Sequence, residues 1–180
     1  MTSRDKRARA VRTILWALAP TALIAIAVAA FPRPLVLYNP SPSIETGYYA
    51  RTPETPATGK IIAFRVPTIG RDYAAIHMPY LIRGGIIKPV AAEAGDTVCT
   101  TGSGGLRING KARAPIAEHD RHGLSLPHWR DCRALKAGEF FVFSDRIPNS
   151  YDSRYYGPVP ASDIIGTFRL VWKSTALGTT

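Results

Sequence analysis

The sequence predicts a mainly β domain that follows a single N-terminal transmembrane helix. Residues 13–32 contain no charged side chain, and about 20 apolar residues suffice to span a bilayer as a helix. After this segment, short β-branched and aromatic runs alternate with turn residues, and the chain contains 15 glycines and 15 prolines. No long segment beyond residue 32 has helical periodicity.

The charge distribution predicts that the chain before this helix is cytoplasmic. Residues 1–12 carry five basic side chains and one acidic one, and only Arg33 follows the apolar segment closely. By the positive-inside rule, residues 33–180 then form an extracytoplasmic domain. An alternative is a cleavable signal peptide that ends at Ala27-Val28-Ala29. The apolar run is longer than the usual core of such a peptide, which favours a retained anchor.

The net charge of +10 raises the question of a nucleic-acid partner. Lysine and arginine can neutralise phosphates, but a binding surface needs them clustered, usually with aromatic side chains. The basic residues after the apolar segment are scattered. We therefore predict no nucleic-acid partner.

Six runs of residues are predicted to form strands. Asn109-Gly110 is the strongest hairpin signal in the chain, and Pro89 suggests an edge strand or a bulge. Residues 51–59 and 118–131 are predicted loops. The predicted strands cover residues 60–66, 86–90, 97–100, 106–111, 139–144 and 164–172.

The two cysteines, Cys99 and Cys132, agree with export from the cytoplasm. An oxidising compartment permits disulfides, and a single pair of cysteines has one possible connectivity. We predict a disulfide between them, with two separate buried thiols as the alternative.

Three stretches contain residues suited to chemistry. Lys88 lies in the nearly uncharged run 84–92, where burial would favour its neutral, basic form. Ser41-Pro42-Ser43-Ile44 follows the apolar segment; alone it would be a turn, but serine with a neutral lysine is a known nucleophile pair. The third stretch, residues 144–157, contains Asp152 and Arg154, which we predict to form an ion pair.

Together these stretches resemble the S26 serine peptidases, the type I signal peptidases. In that family an anchor precedes Ser-x-Ser-Met, then Lys-x-Val with a following Gly-Asp, then Gly-Asp-Asn and Asn-Ser-x-Asp-Ser-Arg-x-x-Gly. This chain has Ser41-Pro42-Ser43-Ile44, Lys88-Pro89-Val90 with Gly95-Asp96, Ser144-Asp145, and the last motif over residues 149–157. It departs from the family where Ile44 replaces methionine and Ser144 replaces glycine.

The resemblance implies an antiparallel β fold of the signal-peptidase type and a role for each matched residue. Ser43 would be the nucleophile and Lys88 the general base. The Ser41 hydroxyl and the Ser43 backbone N–H would stabilise the oxyanion. Ser150 would orient Lys88, while Asp152 and Arg154 would hold their loop against the site. No cofactor or metal is implied.

Residues 123–129 and 156–166 are similar to the conjugative-transfer branch of the family, the TraF-type peptidases. This implies cleavage of a membrane-bound pilin precursor during conjugation. The expected location is the bacterial inner membrane, crossed once, with the catalytic domain in the periplasm. The lipid bilayer and components of a conjugation pore are the expected partners.

Other functions remain open alternatives. One is a general signal peptidase for secreted preproteins, and another is a catalytically silent component of a pilus assembly complex. Self-cleaving repressors also use serine and lysine, but they carry a DNA-binding domain where this chain has its apolar segment.

A cluster of histidines suggests a different site. His119, His122 and His128 lie near Asp120 and Cys132, and zinc uses such ligands. Their spacing fits no familiar zinc motif, and a disulfide would remove Cys132 from the set. We therefore predict no metal site.

Overall fold

The computed structural model describes residues 13, 16, 18–21, 34–101 and 105–174, and its strands form two antiparallel sheets. Most of the predicted anchor, residues 13–32, lies outside the described residues. Within the described part, no helix is long and apolar enough to cross a membrane. The strands are β1 (Val36–Asn39), β2 (Gly47–Thr52), β3 (Ile61–Phe64), β4 (Ile86–Ala92), β5 (Thr97–Cys99), β6 (Leu106–Ile108), β7 (Lys111–Ala114), β8 (Cys132–Ala134), β9 (Glu139–Val142), β10 (Val159–Pro160) and β11 (Ile164–Lys173).

The large sheet has seven strands in the order β1-β2-β11-β3-β4-β9-β10. The long strand β11 joins β2 to β3 within the sheet. Strand β4 lies between β3 and β9 and places Lys88 opposite Ile62. Side chains alternate between the two faces of a strand, and Ile86, Lys88, Val90 and Ala92 are the buried positions of β4. The sheet therefore carries Lys88 into the interior together with its apolar neighbours.

The small sheet has four strands in the order β7-β6-β5-β8. The predicted hairpin is confirmed: Asn109 and Gly110 join β6 to β7 with φ angles of 50° and 75°. Two successive positive φ values match a type I′ turn, which Asn-Gly favours. The predicted disulfide is also present, because Cys99 and Cys132 are direct partners across β5 and β8.

Two short helices between β3 and β4 were not predicted, since no long segment after the predicted anchor has helical periodicity. Helix α1 (Thr68–His77) and helix α2 (Pro79–Gly84) precede Lys88. Helix α1 buries only Gly70 and Ala74, and such small side chains give a weak apolar stripe. Helix α1 is nevertheless held to the domain, because Tyr151 Oη donates a hydrogen bond of 2.9 Å to the Gly70 carbonyl. A third helix, α3 (Ser153–Tyr156), is a single turn in the polar segment that follows β9, residues 144–157.

The number of strands and the position of Pro89 differ from the prediction. Strands β1, β2, β8 and β10 were not predicted, and β2 extends into the expected loop at residues 51–59. Pro89 does not lie in an edge strand, because β4 is paired on both sides. A register shift between Val90 and Ala92 marks a bulge or irregularity beside the proline, in agreement with the other expectation for Pro89. Proline has no N–H to donate, so an interior strand tolerates it only where the ladder is interrupted.

Among the described residues, the core consists of three apolar clusters around the sheets. One fills the space between the large sheet and the helices, including Ile62, Phe64 and Val142. A second packs Trp129 and Phe141 beneath the small sheet. A third contains Ile44 and Tyr49 and lies beside the segment that joins β1 to β2. This last cluster buries the residue that follows Ser43, which fixes the position of the serine.

We predict that replacing both cysteines by alanine destabilises the domain by about 3–4 kcal/mol, since the disulfide closes a long loop in the unfolded chain. The two cysteines are 33 residues apart. Urea unfolding followed by tryptophan fluorescence measures the change. Reduction of the wild-type protein should give a similar loss, and equal stability of the reduced and oxidised proteins would contradict the prediction.

Candidate active site

The serine loop, residues 40–46, joins β1 to β2 and is held by the side chain of Asn39. Asn39 Nδ2 donates hydrogen bonds to the carbonyls of Ser41 at 2.9 Å and Glu45 at 3.0 Å. Its Oδ1 accepts a hydrogen bond of 3.1 Å from the Ser41 N–H. Asn39 therefore clamps both ends of the loop. It was missed as a site residue, although an asparagine before a Pro-Ser turn is a signal for such bonding.

Ser43 is buried and its hydroxyl has two polar neighbours. Lys88 Nζ is hydrogen-bonded to Ser43 Oγ, and Ser41 Oγ lies 2.9 Å from the same oxygen. The Ser43 N–H donates to Ser41 Oγ at 3.3 Å. The structure thus brings together the three residues that the sequence assigned to nucleophile, base and oxyanion stabilisation.

Lys88 is only 4 % exposed, and this burial governs its charge. Desolvation lowers the pKa of Lys88 from 10.5 to about 8, with Asp152 opposing the shift and Arg154 adding to it. A buried amine with a lowered pKa can exist in its neutral form near neutral pH. Beside a serine hydroxyl, such an amine can act as a general base.

Asp152 and Arg154 form the predicted ion pair, and both are buried. Arg154 Nε lies 2.8 Å from Asp152 Oδ1, and Arg154 Nη2 lies 3.0 Å from Oδ2. The remaining donors of the guanidinium reach the carbonyls of Ser150 at 3.1 Å and Pro115 at 3.0 Å. Through the bond to Pro115, the pair ties the polar segment to the loop that follows β7.

Ser150 is the site residue whose expected contact is not formed. Its hydroxyl is buried and has no hydrogen-bond partner among the described residues. The predicted bond to Lys88 is therefore not present in this structure. The Ser150 carbonyl is nevertheless fixed by Arg154, so the residue is held in place while its hydroxyl is free to accept a partner.

Two further residues of the polar segment contact the serine loop. Ser144 Oγ donates a hydrogen bond to the Ser43 carbonyl. Arg146 Nε donates to the Pro42 carbonyl at 3.3 Å, and its Nη1 lies 2.7 Å from Glu45 Oε1. Neither residue was assigned a site role from the sequence. Ser144 stood out only as a departure from the glycine of the S26 motif.

The histidine loop does not form a ligand cluster. Within the described residues, no group of three or more His, Cys, Asp or Glu side chains could hold a metal ion. Cys132 is in the disulfide, and Asp120 accepts hydrogen bonds from Tyr73 and from the N–H groups of His122 and Leu124. These contacts give Asp120 a structural role in the loop.

Comparison with known proteins agrees with the motifs. The sequence model of the family described as signal peptidase, peptidase S26, matches residues 7–173. Two plasmid transfer proteins TraF from Escherichia coli are 31% and 30% identical to this chain, each over 74% of it and over 82% and 80% of their own lengths. A signal peptidase I structure from Enterococcus faecalis aligns with a TM-score of 0.37 and 21% identity over 64% of this chain and 98% of its own.

We predict that Lys88→Met is more stable than the wild type near pH 7 and that this advantage shrinks at high pH. The lowered pKa of Lys88, about 8 against 10.5, means that folding a charged lysine costs about 3 kcal/mol below pH 8. Between pH 8 and 10.5 the folded chain has lost this proton and the unfolded chain has not, so wild-type stability rises.

Denaturant unfolding at several pH values measures this difference. The exposed Lys60 supplies the control, and Lys60→Met should change the free energy of unfolding by less than about 0.5 kcal/mol at pH 7. A Lys88→Met difference that stays constant from pH 7 to 10.5 would show that burial does not shift the Lys88 pKa.

Proposed function

Because the chain belongs to the S26 signal peptidase family, in its TraF-type branch, we propose that it is a membrane-anchored serine endopeptidase that cleaves a pilin precursor during conjugative transfer. Family membership makes it a serine peptidase-like hydrolase. The single observation that carries the proposed Ser/Lys chemistry is the hydrogen bond between the buried Lys88 amine and the Ser43 hydroxyl.

In the proposed acylation step, Ser43 Oγ attacks the carbonyl carbon of the scissile peptide bond while neutral Lys88 accepts the hydroxyl proton. The carbonyl oxygen becomes an oxyanion, which the Ser43 N–H and the Ser41 hydroxyl stabilise. The C–N bond then breaks, and Lys88 donates its extra proton to the leaving amine. The products of this step are an acyl-Ser43 ester and a free amino terminus.

In the proposed deacylation step, water attacks the ester and Lys88 accepts a proton from it. The C–O bond to Ser43 breaks, and Lys88 returns the proton to Ser43 Oγ. The new carboxyl terminus leaves, and both residues regain their starting protonation states. Asp152 and Arg154 hold the surrounding loop throughout, and the free Ser150 hydroxyl is available to receive a hydrogen bond from the protonated Lys88.

The conjugative role is supported by the kind of relatives that the chain has. The two TraF proteins are described as plasmid transfer proteins, and the matches cover about four-fifths of their lengths. A peptidase of such a system needs a substrate that emerges at the membrane. Since Ser43 lies about ten residues beyond the apolar segment, its tether restricts the site to the vicinity of the bilayer surface.

An exposed aromatic row supports the membrane location. Tyr38, Tyr48 and Trp172 are opposite one another across β1, β2 and β11, and each is about half exposed or more. Tyrosine and tryptophan favour the membrane–water interface, where one end of the ring is apolar and the other hydrated. The row lies at the end of the sheet where the serine loop joins β1 to β2, so an interface-bound row would bring Ser43 near emerging substrates.

We predict that Ser43→Ala and Lys88→Ala each reduce release of mature pilin at least about 1,000-fold, because each removes a reacting group. The measurement is co-expression with a pilin precursor, followed by mass spectrometry of the product. In vitro, the wild-type rate should fall as pH drops through about 8, where Lys88 gains its proton. Lys60→Ala and Ser162→Ala, which alter exposed residues, are matched controls that should leave the rate unchanged.

The other outcomes distinguish the alternatives. Continued release of mature pilin by Ser43→Ala or Lys88→Ala would refute the mechanism. Cleavage of a secretory preprotein but not of pilin would indicate a general signal peptidase. A folded wild-type chain inert towards both substrates would indicate a silent component of the assembly.

For the location, we predict that a reporter enzyme that is active only outside the cytoplasm works when fused after residue 180. The fusion should also stay in the washed membrane fraction at full length, because residues 13–32 are proposed to anchor it. An inactive reporter would contradict the orientation. An active reporter on a shortened chain in the soluble fraction would show that the segment is a cleaved signal peptide.

A further inference from the structure

Ser144 connects the buried ion pair to the nucleophile's own peptide group. Its hydroxyl donates to the Ser43 carbonyl, and its N–H lies 3.4 Å from Asp152 Oδ2. The same hydroxyl oxygen accepts from the Arg146 N–H at 3.4 Å. Ser144 is 4 % exposed, so these contacts are shielded from water.

The Ser43 carbonyl depends on this contact. Ser43 is itself buried. Among the described residues, the donor to the Ser43 carbonyl is Ser144 Oγ. A buried carbonyl without a donor is costly, so a chain that loses this donor tends to turn the peptide towards another one. Such a turn changes ψ of Ser43 and moves its side chain relative to Lys88.

We propose that Ser144 is a positioning residue of the reaction: its hydroxyl fixes the Ser43 peptide so that Ser43 Oγ stays in hydrogen-bonding contact with Lys88. The role belongs to this chain in particular, because the S26 motif has glycine there and glycine has no hydroxyl to offer. Ser144 contacts neither Lys88 nor the proposed oxyanion donors through its hydroxyl, and it acts only through the Ser43 carbonyl. The inference rests on the proposed peptidase function.

The test compares kcat and KM of full-length variants in detergent micelles, with a pilin precursor as the substrate. Ser144→Ala should lower kcat about 10-fold, the change expected when one buried hydrogen bond in the site is lost. KM should stay within about twofold. The midpoint of the acid limb of the pH profile should not move, because the burial and the Asp152 and Arg154 charges that set the Lys88 pKa are unchanged. Ser144→Thr, which keeps the hydroxyl, should retain most of the wild-type kcat.

Thr100→Val is the matched control for the loss of a buried hydroxyl. Thr100 Oγ1 donates to the Trp129 carbonyl beside the small sheet, so the variant loses the same kind of bond away from Ser43. It should lose stability in thermal unfolding as Ser144→Ala does, yet keep kcat.

Equal kcat for Ser144→Ala and the wild type would overturn the inference. So would a loss of kcat in Thr100→Val as large as that in Ser144→Ala. An equal loss of kcat in Ser144→Thr would also overturn it, because that variant keeps the hydroxyl. Failure of the proposed function looks different: either the wild-type chain would leave the precursor uncut, or Ser43→Ala would cleave it at the wild-type rate.

Discussion

The hydrogen bond between Lys88 and Ser43 is the interaction on which the rest of the site depends. It requires an amine inside the protein, and the interior position of β4 between β3 and β9 supplies that environment. It also requires that the serine loop, which joins the two strands at one edge of the sheet, reach Lys88 in the sheet interior. In the order β1-β2-β11-β3-β4, two strands, β11 and β3, lie between β2 and β4, so the loop must be held by contacts of its own.

Those contacts come from both sides of the loop. Asn39 closes it internally, while Ser144 and Arg146 reach it from the polar segment after β9. The Asp152–Arg154 pair fixes that segment in turn. Buried polar groups are costly unless they are satisfied, and this network satisfies most of its members. The Ser150 hydroxyl is the exception, and in the proposed mechanism it gains a partner when Lys88 is protonated.

The sequence predicted which residues meet at the site better than it predicted the contacts that hold them there. Ser43, Lys88 and the Asp152–Arg154 pair lie in short local motifs with fixed spacing, and the Asn109-Gly110 turn is encoded by two adjacent residues. Helix α1 was not predicted because its buried positions are Gly70 and Ala74. Such small side chains leave little apolar periodicity in the sequence. The bond between Ser144 and Ser43 joins residues 101 positions apart, and only the fold brings them together.

The proposed role of Lys88 as the base for Ser43 depends on its charge state near neutral pH. That charge state can be measured directly by nuclear magnetic resonance titration of the protein with isotopically labelled lysine, with the Lys88 signal identified by its absence in Lys88→Met. We predict a titration midpoint of about 8 for Lys88, against the ordinary value of 10.5. A midpoint at the ordinary value would mean that Lys88 stays charged near neutral pH, and it could not then serve as the base for Ser43.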